Sequence, residues 1–128
     1  MAVLKERRAF PRFKIPNAKI TFLQEEGFQG AGSVSGEGVL DDCSLRGIRF
    51  ITKIKLQPGA KIKLELSVPS QEPIKLDGNI IWCSSLSYKN RTIAVVELAP
   101  FGEGKGYNSI EALNDLEKIA DEYLHQFD

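Results

Sequence analysis

The chain holds 128 residues, 42 % of them apolar and 27 % charged, enough for one domain with a single buried core. Its seventeen acidic residues cancel seventeen Lys and Arg, which argues against a general nucleic-acid binder, since such proteins carry a positive excess. No apolar run approaches the roughly 18–20 residues that span a bilayer. The opening residues 1–8 lack the apolar stretch of a signal peptide, and Cys43 and Cys83 lack metal or disulfide spacing, so the expected compartment is the cytoplasm.

Residues 1–17 read as an arm. Arg7, Arg8 and Arg12 set three guanidiniums within six positions, each a planar fork suited to a phosphate or to the O6/N7 edge of guanine, with a flat face for stacking. Pro11 lacks an N–H and fixes its own φ, so the arm enters the first strand extended. A strand is predicted over residues 18–23, with Ala18, Ile20 and Phe22 on one face. From Gln24 to Gly38 there are five Gly, two Ser and no periodicity, which predicts an extended hairpin loop or a disordered tip. Its glycines suggest a phosphate-cradling loop only until one asks for the helix that should follow; none is patterned.

Val39 and Leu40 begin a second predicted strand, ending at the polar turn Asp42-Cys43-Ser44-Leu45-Arg46-Gly47. In the third, Ile48, Phe50 and Thr52 share a face. The fourth is the cleanest alternation in the chain, Ile62, Leu64, Leu66 and Val68 against Lys61, Lys63 and Glu65. The fifth carries Ile74, Leu76, Gly78, Ile80 and Trp82 on one face, with Gly78 as the expected bulge or bend and Trp82 as a core residue or the edge of a site. Ala94, Val96 and Leu98 mark the sixth. The period then becomes helical: Ile110, Leu113, Leu116, Ala120, Leu124 and Phe127 form a stripe behind a capping box of Asn108 and Glu111. Six antiparallel strands and one terminal helix imply a mainly β fold, a small barrel closed or crossed at one end by the helix.

Two stretches carry the chemistry. The forks of Arg8 and Arg12 suit phosphate or guanine, and Asp42 is an acceptor for a guanine N1–H and N2–H₂ edge, which a phosphate-only site has no use for. Ser44 can donate to a phosphate or accept from a base, and Gly47 allows close backbone approach. Arg46 and Arg49 lie near the turn. The lone His125 with Ser44 and Asp42 lacks any nucleophile-elbow sequence, so no hydrolase is expected.

In order and spacing, Arg8-Ala9-Phe10-Pro11-Arg12 and Asp42-Cys43-Ser44-Leu45-Arg46-Gly47 resemble the two signatures of the PilZ domain family, bacterial receptor modules for cyclic di-GMP. The resemblance implies a six-stranded split barrel with a C-terminal helix, residues 1–17 serving as the ligand arm and 18–128 as the barrel. It also implies a cyclic di-GMP site of Arg8, Arg12, Asp42, Ser44 and Gly47, with Arg46 and Trp82 as further candidates and no catalytic residue, metal or cofactor. Arg7, just before the first signature, is associated in this family with an intercalated ligand dimer, hence two molecules per chain. The implied role is a non-enzymatic adaptor that passes a ligand-induced change to a downstream protein. The alternative is a degenerate adaptor that works by protein contact without the nucleotide. A stacking groove for single-stranded nucleic acid is disfavoured by the neutral charge and the mostly core-facing aromatics.

Overall fold

Alternating apolar residues form six strands in the computed structural model, which describes residues 11–25, 32–86 and 90–125. They are β1 (Lys19–Gln24), β2 (Val34–Cys43), β3 (Gly47–Thr52), β4 (Lys61–Ser67), β5 (Ile74–Leu86) and β6 (Arg91–Leu98). All neighbouring pairs are antiparallel, and the order β1-β2-β3-β6-β5-β4 closes into a barrel, so each strand has a hydrogen-bonded neighbour on both sides. Ile20, Phe22, Phe50, Leu64, Ile80 and Val96 point into the barrel and are buried. The alternate residues of β4, Lys61, Lys63 and Glu65, face water.

The Gly-rich stretch is the first correction. β1 runs through Gln24 and β2 begins at Val34 rather than Val39, and Ile20 to Gln24 pair in register with Gly38 to Val34. The rest of the stretch expected as a loop, residues 26–31, lies outside the described residues. Glycines build this part of the strand because Phe22, Phe50, Ile54 and the backbone of Ile51 occupy the space where side chains would go. A Cβ on Gly38 would stand 2.6 Å from Ile51 O and 2.9 Å from a ring carbon of Phe50; one on Gly36 would meet Phe22 at 3.0 Å. The rings of Phe22 and Phe50 lie over this gap with centroids 5.4 Å apart, a strand glycine covered by an aromatic neighbour.

The second correction concerns β5. Gly78 is not its bulge: a Cβ there would stand 2.5 Å from Glu97 O, so the glycine answers close approach by β6. The register shifts instead between Ile80, opposite Val96, and Trp82, opposite Val95, which makes Ile81 the extra residue. An inserted residue breaks the two-residue period. Ile81 and Trp82 therefore both face outward, 56 % and 49 % exposed, and Trp82 is not a core residue. β2 carries a matching shift between Leu40 and Asp42, with Asp41 extra.

One end of the barrel gathers the starts of β1, β3 and β5 and the ends of β2, β4 and β6. Phe13, Ile15, Ala18 and Val68 are buried there. The last element, α1 (Ile110–His125), starts beside β5, where Asn108 clamps the strand. Its Oδ1 accepts from Asp77 N at 2.6 Å, and its Nδ2 donates to Asp77 O at 3.0 Å and to Ala99 O at 2.9 Å. Asn108 is thus a buried strap and not the expected cap. Ser109 caps the helix, its Oγ accepting from Ala112 N at 3.0 Å. The buried face is Ala112, Leu116, Ile119 and Ala120, with Ile110 exposed, a stripe rotated from the expected one; Phe127 lies outside the described residues. Lys75, Asp77 and Asn79 on the outside of β5 stay exposed, while Ala112, Leu116, Ile119 and Ala120 of α1 join the buried core cluster.

Candidate functional site

The turn between β2 and β3 is held by Ser44, which is 2 % exposed. Its N–H donates to Gly47 O at 2.8 Å, and its Oγ accepts from Arg46 N at 3.1 Å and Gly47 N at 3.2 Å. The hydroxyl oxygen is therefore committed to the turn and retains only its proton for any other partner. β6 locks the same turn from the side: Leu98 N donates to Arg46 O at 2.8 Å. A Cβ on Gly47 would stand 2.9 Å from Val96 O, so Gly47 is required by close packing rather than by an unusual φ.

The arm docks on this frame by one rung of sheet. Phe13 N donates to Cys43 O at 2.8 Å, Cys43 N donates to Phe13 O at 2.9 Å, and the Phe13 ring is buried. This fixes the neighbouring Arg12 over the bulge. Were Asp41 paired in a regular ladder, the alternation that sends Leu40 inward would send Asp42 inward too. With Asp41 as the extra residue, Asp41 and Asp42 both turn out and Cys43 takes the inward place. Arg12 then meets Asp42, with Nε and Nη2 both on Oδ1 at 2.7 and 2.6 Å. The guanidinium is 46 % exposed and the carboxylate 16 %, so the pair sits at a wet rim and contributes at most about 1 kcal/mol to stability.

Asp41, which no sequence signal singled out, sits between two further cations. Its Oδ1 is 3.4 Å from Lys14 Nζ, and its Oδ2 is 3.7 Å from Arg49 Nη1. Arg49 lies directly opposite Asp42 on β3 and is also opposite Val95 on β6, which in turn faces Trp82 on β5. The four residues form one outward row across four strands, about 14 Å long. A carboxylate with its guanidinium stands at one end, and an exposed indole stands at the other. Both ends owe their outward aim to a bulge.

Cys43 points the other way. Burial, aided by the negative charge of Asp42 and opposed by Arg12, pushes its pKa from 9.0 to about 12, so it remains a neutral thiol inside the turn. Burial also raises Cys83, whose Sγ donates to Leu56 O at 3.3 Å. Among the described residues, no cluster of three or more His, Cys, Asp or Glu is placed to hold a metal, and no helix is long and apolar enough to cross a membrane. Arg7 and Arg8 lie outside the described residues. The structure thus brings Arg12, Asp42, Ser44, Arg46 and Gly47 into one corner, adds Asp41, Lys14 and Arg49, and sets Trp82 three strands away on the same face.

No curated protein sequence matches the chain. Solved structures do. The PilZ domain of YcgR from Escherichia coli, solved with c-di-GMP, superposes with a TM-score of 0.63 at 17 % identity, covering 94 % of this chain and 93 % of that one. A structure of YcgR in complex with c-di-GMP gives 0.63 at 18 % identity, over 91 % of this chain and 45 % of that one. The inhibitor of motility MotI (DgrA) from Bacillus subtilis gives 0.61 at 13 % identity, over 91 % and 50 %. At such identities the likeness is one of fold. The family model described as PilZ domain matches residues 6–99, which run from before Arg7 to just past the end of β6. The chain belongs to the PilZ domain family.

Proposed function

We propose that this chain is a receptor for cyclic di-GMP that acts in the cytoplasm and passes its ligand state to a downstream protein. The observation that carries the reading is Arg12 held beside Asp42 on the outer rim of the barrel, in a family whose YcgR member is solved with c-di-GMP. In this reading the ligand exchanges partners with the rim pair. Arg12 leaves Asp42 for a phosphate or the O6/N7 edge of guanine, and Asp42 accepts from the N1–H and N2–H₂ edge of a base. Ser44 and Gly47 keep the turn in shape so that the ligand lies flat against the backbone, with Arg46 at its edge. Arg7 and Arg8 bring further guanidiniums from the arm, and the Trp82 ring offers a stacking surface at the far end of the row. Three Arg forks exceed what one compact ligand with two phosphates needs, and two stacked molecules per chain give each a partner.

No bond is made or broken in this reading; the output is a shape change. Phe13 and Ile15 are buried in the same core cluster as the helix residues Leu116 and Ile119, a route by which a shift of the arm reaches α1. Calorimetric titration of the purified chain with cyclic di-GMP, with GTP as control, tests the proposal. Saturable binding at a ratio of two is expected, falling to one for Arg7→Leu. Absence of saturable heat at high micromolar ligand refutes it, and a ratio of one in a fully active sample refutes the dimer.

A further inference from the structure

The outside of the barrel is divided by charge and polarity. On β4 and the first half of β5, Lys63 stands opposite Asp77 and Glu65 opposite Lys75, and Lys63 lies 3.7 Å from Asp77; this face largely compensates itself. The outside of β2 and β3 is different. Lys19, Val39, Ile51 and Ile93 stand side by side across β1, β2, β3 and β6. Val39 is 59 % exposed, among the most open large apolar side chains on the described surface. Around it lies a groove of about 550 Å³ whose lining includes Val39, Ile51 and Ile54, the cations Lys19, Lys53 and Arg91, and Glu37 as the single acid. None of the three cations has an ion pair among the described residues. In a chain of zero net charge, apolar side chains ringed by three cations that no described residue pairs are a local excess that calls for an anionic, apolar complement.

Spacing decides what kind. Lys19 and Arg91 sit on β1 and β6, three interstrand steps apart, about 14 Å. One phosphate or carboxylate cannot reach both, whereas a helical segment covers that span in about ten residues. Such a segment can turn one stripe to the apolar floor and flank it with Asp or Glu. We propose that this groove docks an acidic amphipathic segment of a partner protein, with its apolar side chains on Val39, Ile51 and Ile54 and its carboxylates on Lys19, Lys53 and Arg91. The surface lies beside the row of Asp42, Arg49, Val95 and Trp82 and does not use it, so it stands apart from the nucleotide reading.

The test is selection of a displayed library of randomised helical peptides on the intact chain without nucleotide. Cyclic di-GMP titration of the same variants runs in parallel. Selected peptides are expected to carry Asp or Glu beside an apolar stripe and to shift the amide resonances of Val39, Ile51 and Lys53. They should lose at least about tenfold in affinity for Lys53→Glu/Arg91→Glu and keep it for Lys53→Arg/Arg91→Lys, with nucleotide affinity equal in all. Four results overturn the proposal: no enrichment, enrichment of basic or neutral peptides, equal binding to the charge-reversed chain, or binding of phosphatidylglycerol vesicles by these residues in place of peptides. Because both variants change exposed side chains, their melting temperatures are expected to match the parent, and circular dichroism checks this.

Discussion

Arg12→Ala separates what this side chain does for the fold from what it does for a ligand. In the free protein its guanidinium makes two contacts, both to Oδ1 of Asp42, while 46 % exposed. An ion pair so open to solvent is worth about 0.2–1 kcal/mol. The backbone rung between Phe13 and Cys43 and the buried Phe13 ring survive the substitution, so the loss in unfolding free energy should stay below about 1 kcal/mol. In the complex the same guanidinium is covered by ligand and faces a charged oxygen. Truncating one partner of such a pair costs about 2–4 kcal/mol, a factor of roughly 30 to 1,000 in Kd. Asp42→Ala in the Arg12→Ala background should cost less than Asp42→Ala alone, because the two groups exchange partners together. Calorimetric titration with cyclic di-GMP and urea unfolding of the same four proteins give both numbers. An affinity loss below about threefold, or a stability loss larger than the affinity loss, refutes the partner-exchange account.

Trp82→Ala should weaken cyclic di-GMP by about 1–3 kcal/mol, the range for one base stacked on an aromatic. It should leave the thermal melt nearly unchanged, since the ring is half exposed. Cys43 gives a pH signature. Its folded pKa lies at about 12 against an ordinary 9.0, so its contribution is fully present below about pH 9 and is lost as pH rises toward 12. Cys43→Ala should flatten that part of the stability–pH curve in urea titrations, and an unchanged alkaline slope would contradict the assignment. Asn108→Ala strands two polar groups of the backbone, Asp77 N and Ala99 O, while Asp77 O keeps its bond from Ala99 N, and should cost about 2–4 kcal/mol. Ser109→Ala, which removes the true helix cap, should cost about 1 kcal/mol. Denaturant midpoints rank the two, and the reverse order would return the cap to Asn108.

Where one residue alternates cleanly with the next, the strands were legible: β3, β4 and β6 lie where Ile48, Ile62 and Ala94 begin their patterns. Two kinds of feature escaped. A bulge leaves no compositional trace, so counting by twos carried Trp82 inward past Ile81, and nothing marked Asp41 as the residue that turns Asp42 outward. Glycines beneath Phe22 and Phe50 read as loop because their packing partners lie on other strands. The site residues were easier, since Arg12, Asp42, Ser44 and Gly47 form a spaced pattern of unusual polar types. What the pattern did not reveal was division of labour within it. Ser44 spends its oxygen on the turn, while Arg12 and Asp42 pair at the rim. Asn108 misled for a related reason: the residue type suits a helix cap, but the strand it straps lies about thirty residues earlier.

The paired bulges bear on how this face can change over generations. Asp42 and Trp82 end a row whose central members, Arg49 and Val95, sit on strands hydrogen-bonded on both sides. Asp41 and Ile81 are the residues without a partner across the ladder, so loss of either leaves Leu40 and Ile80 inward and keeps Asp42 opposite Arg49 and Trp82 opposite Val95, still outward. The two bulges are thus the places in β2 and β5 where the chain can shorten by one residue without turning the row. At position 41 the change is still felt, because the carboxylate between Lys14 and Arg49 goes with it.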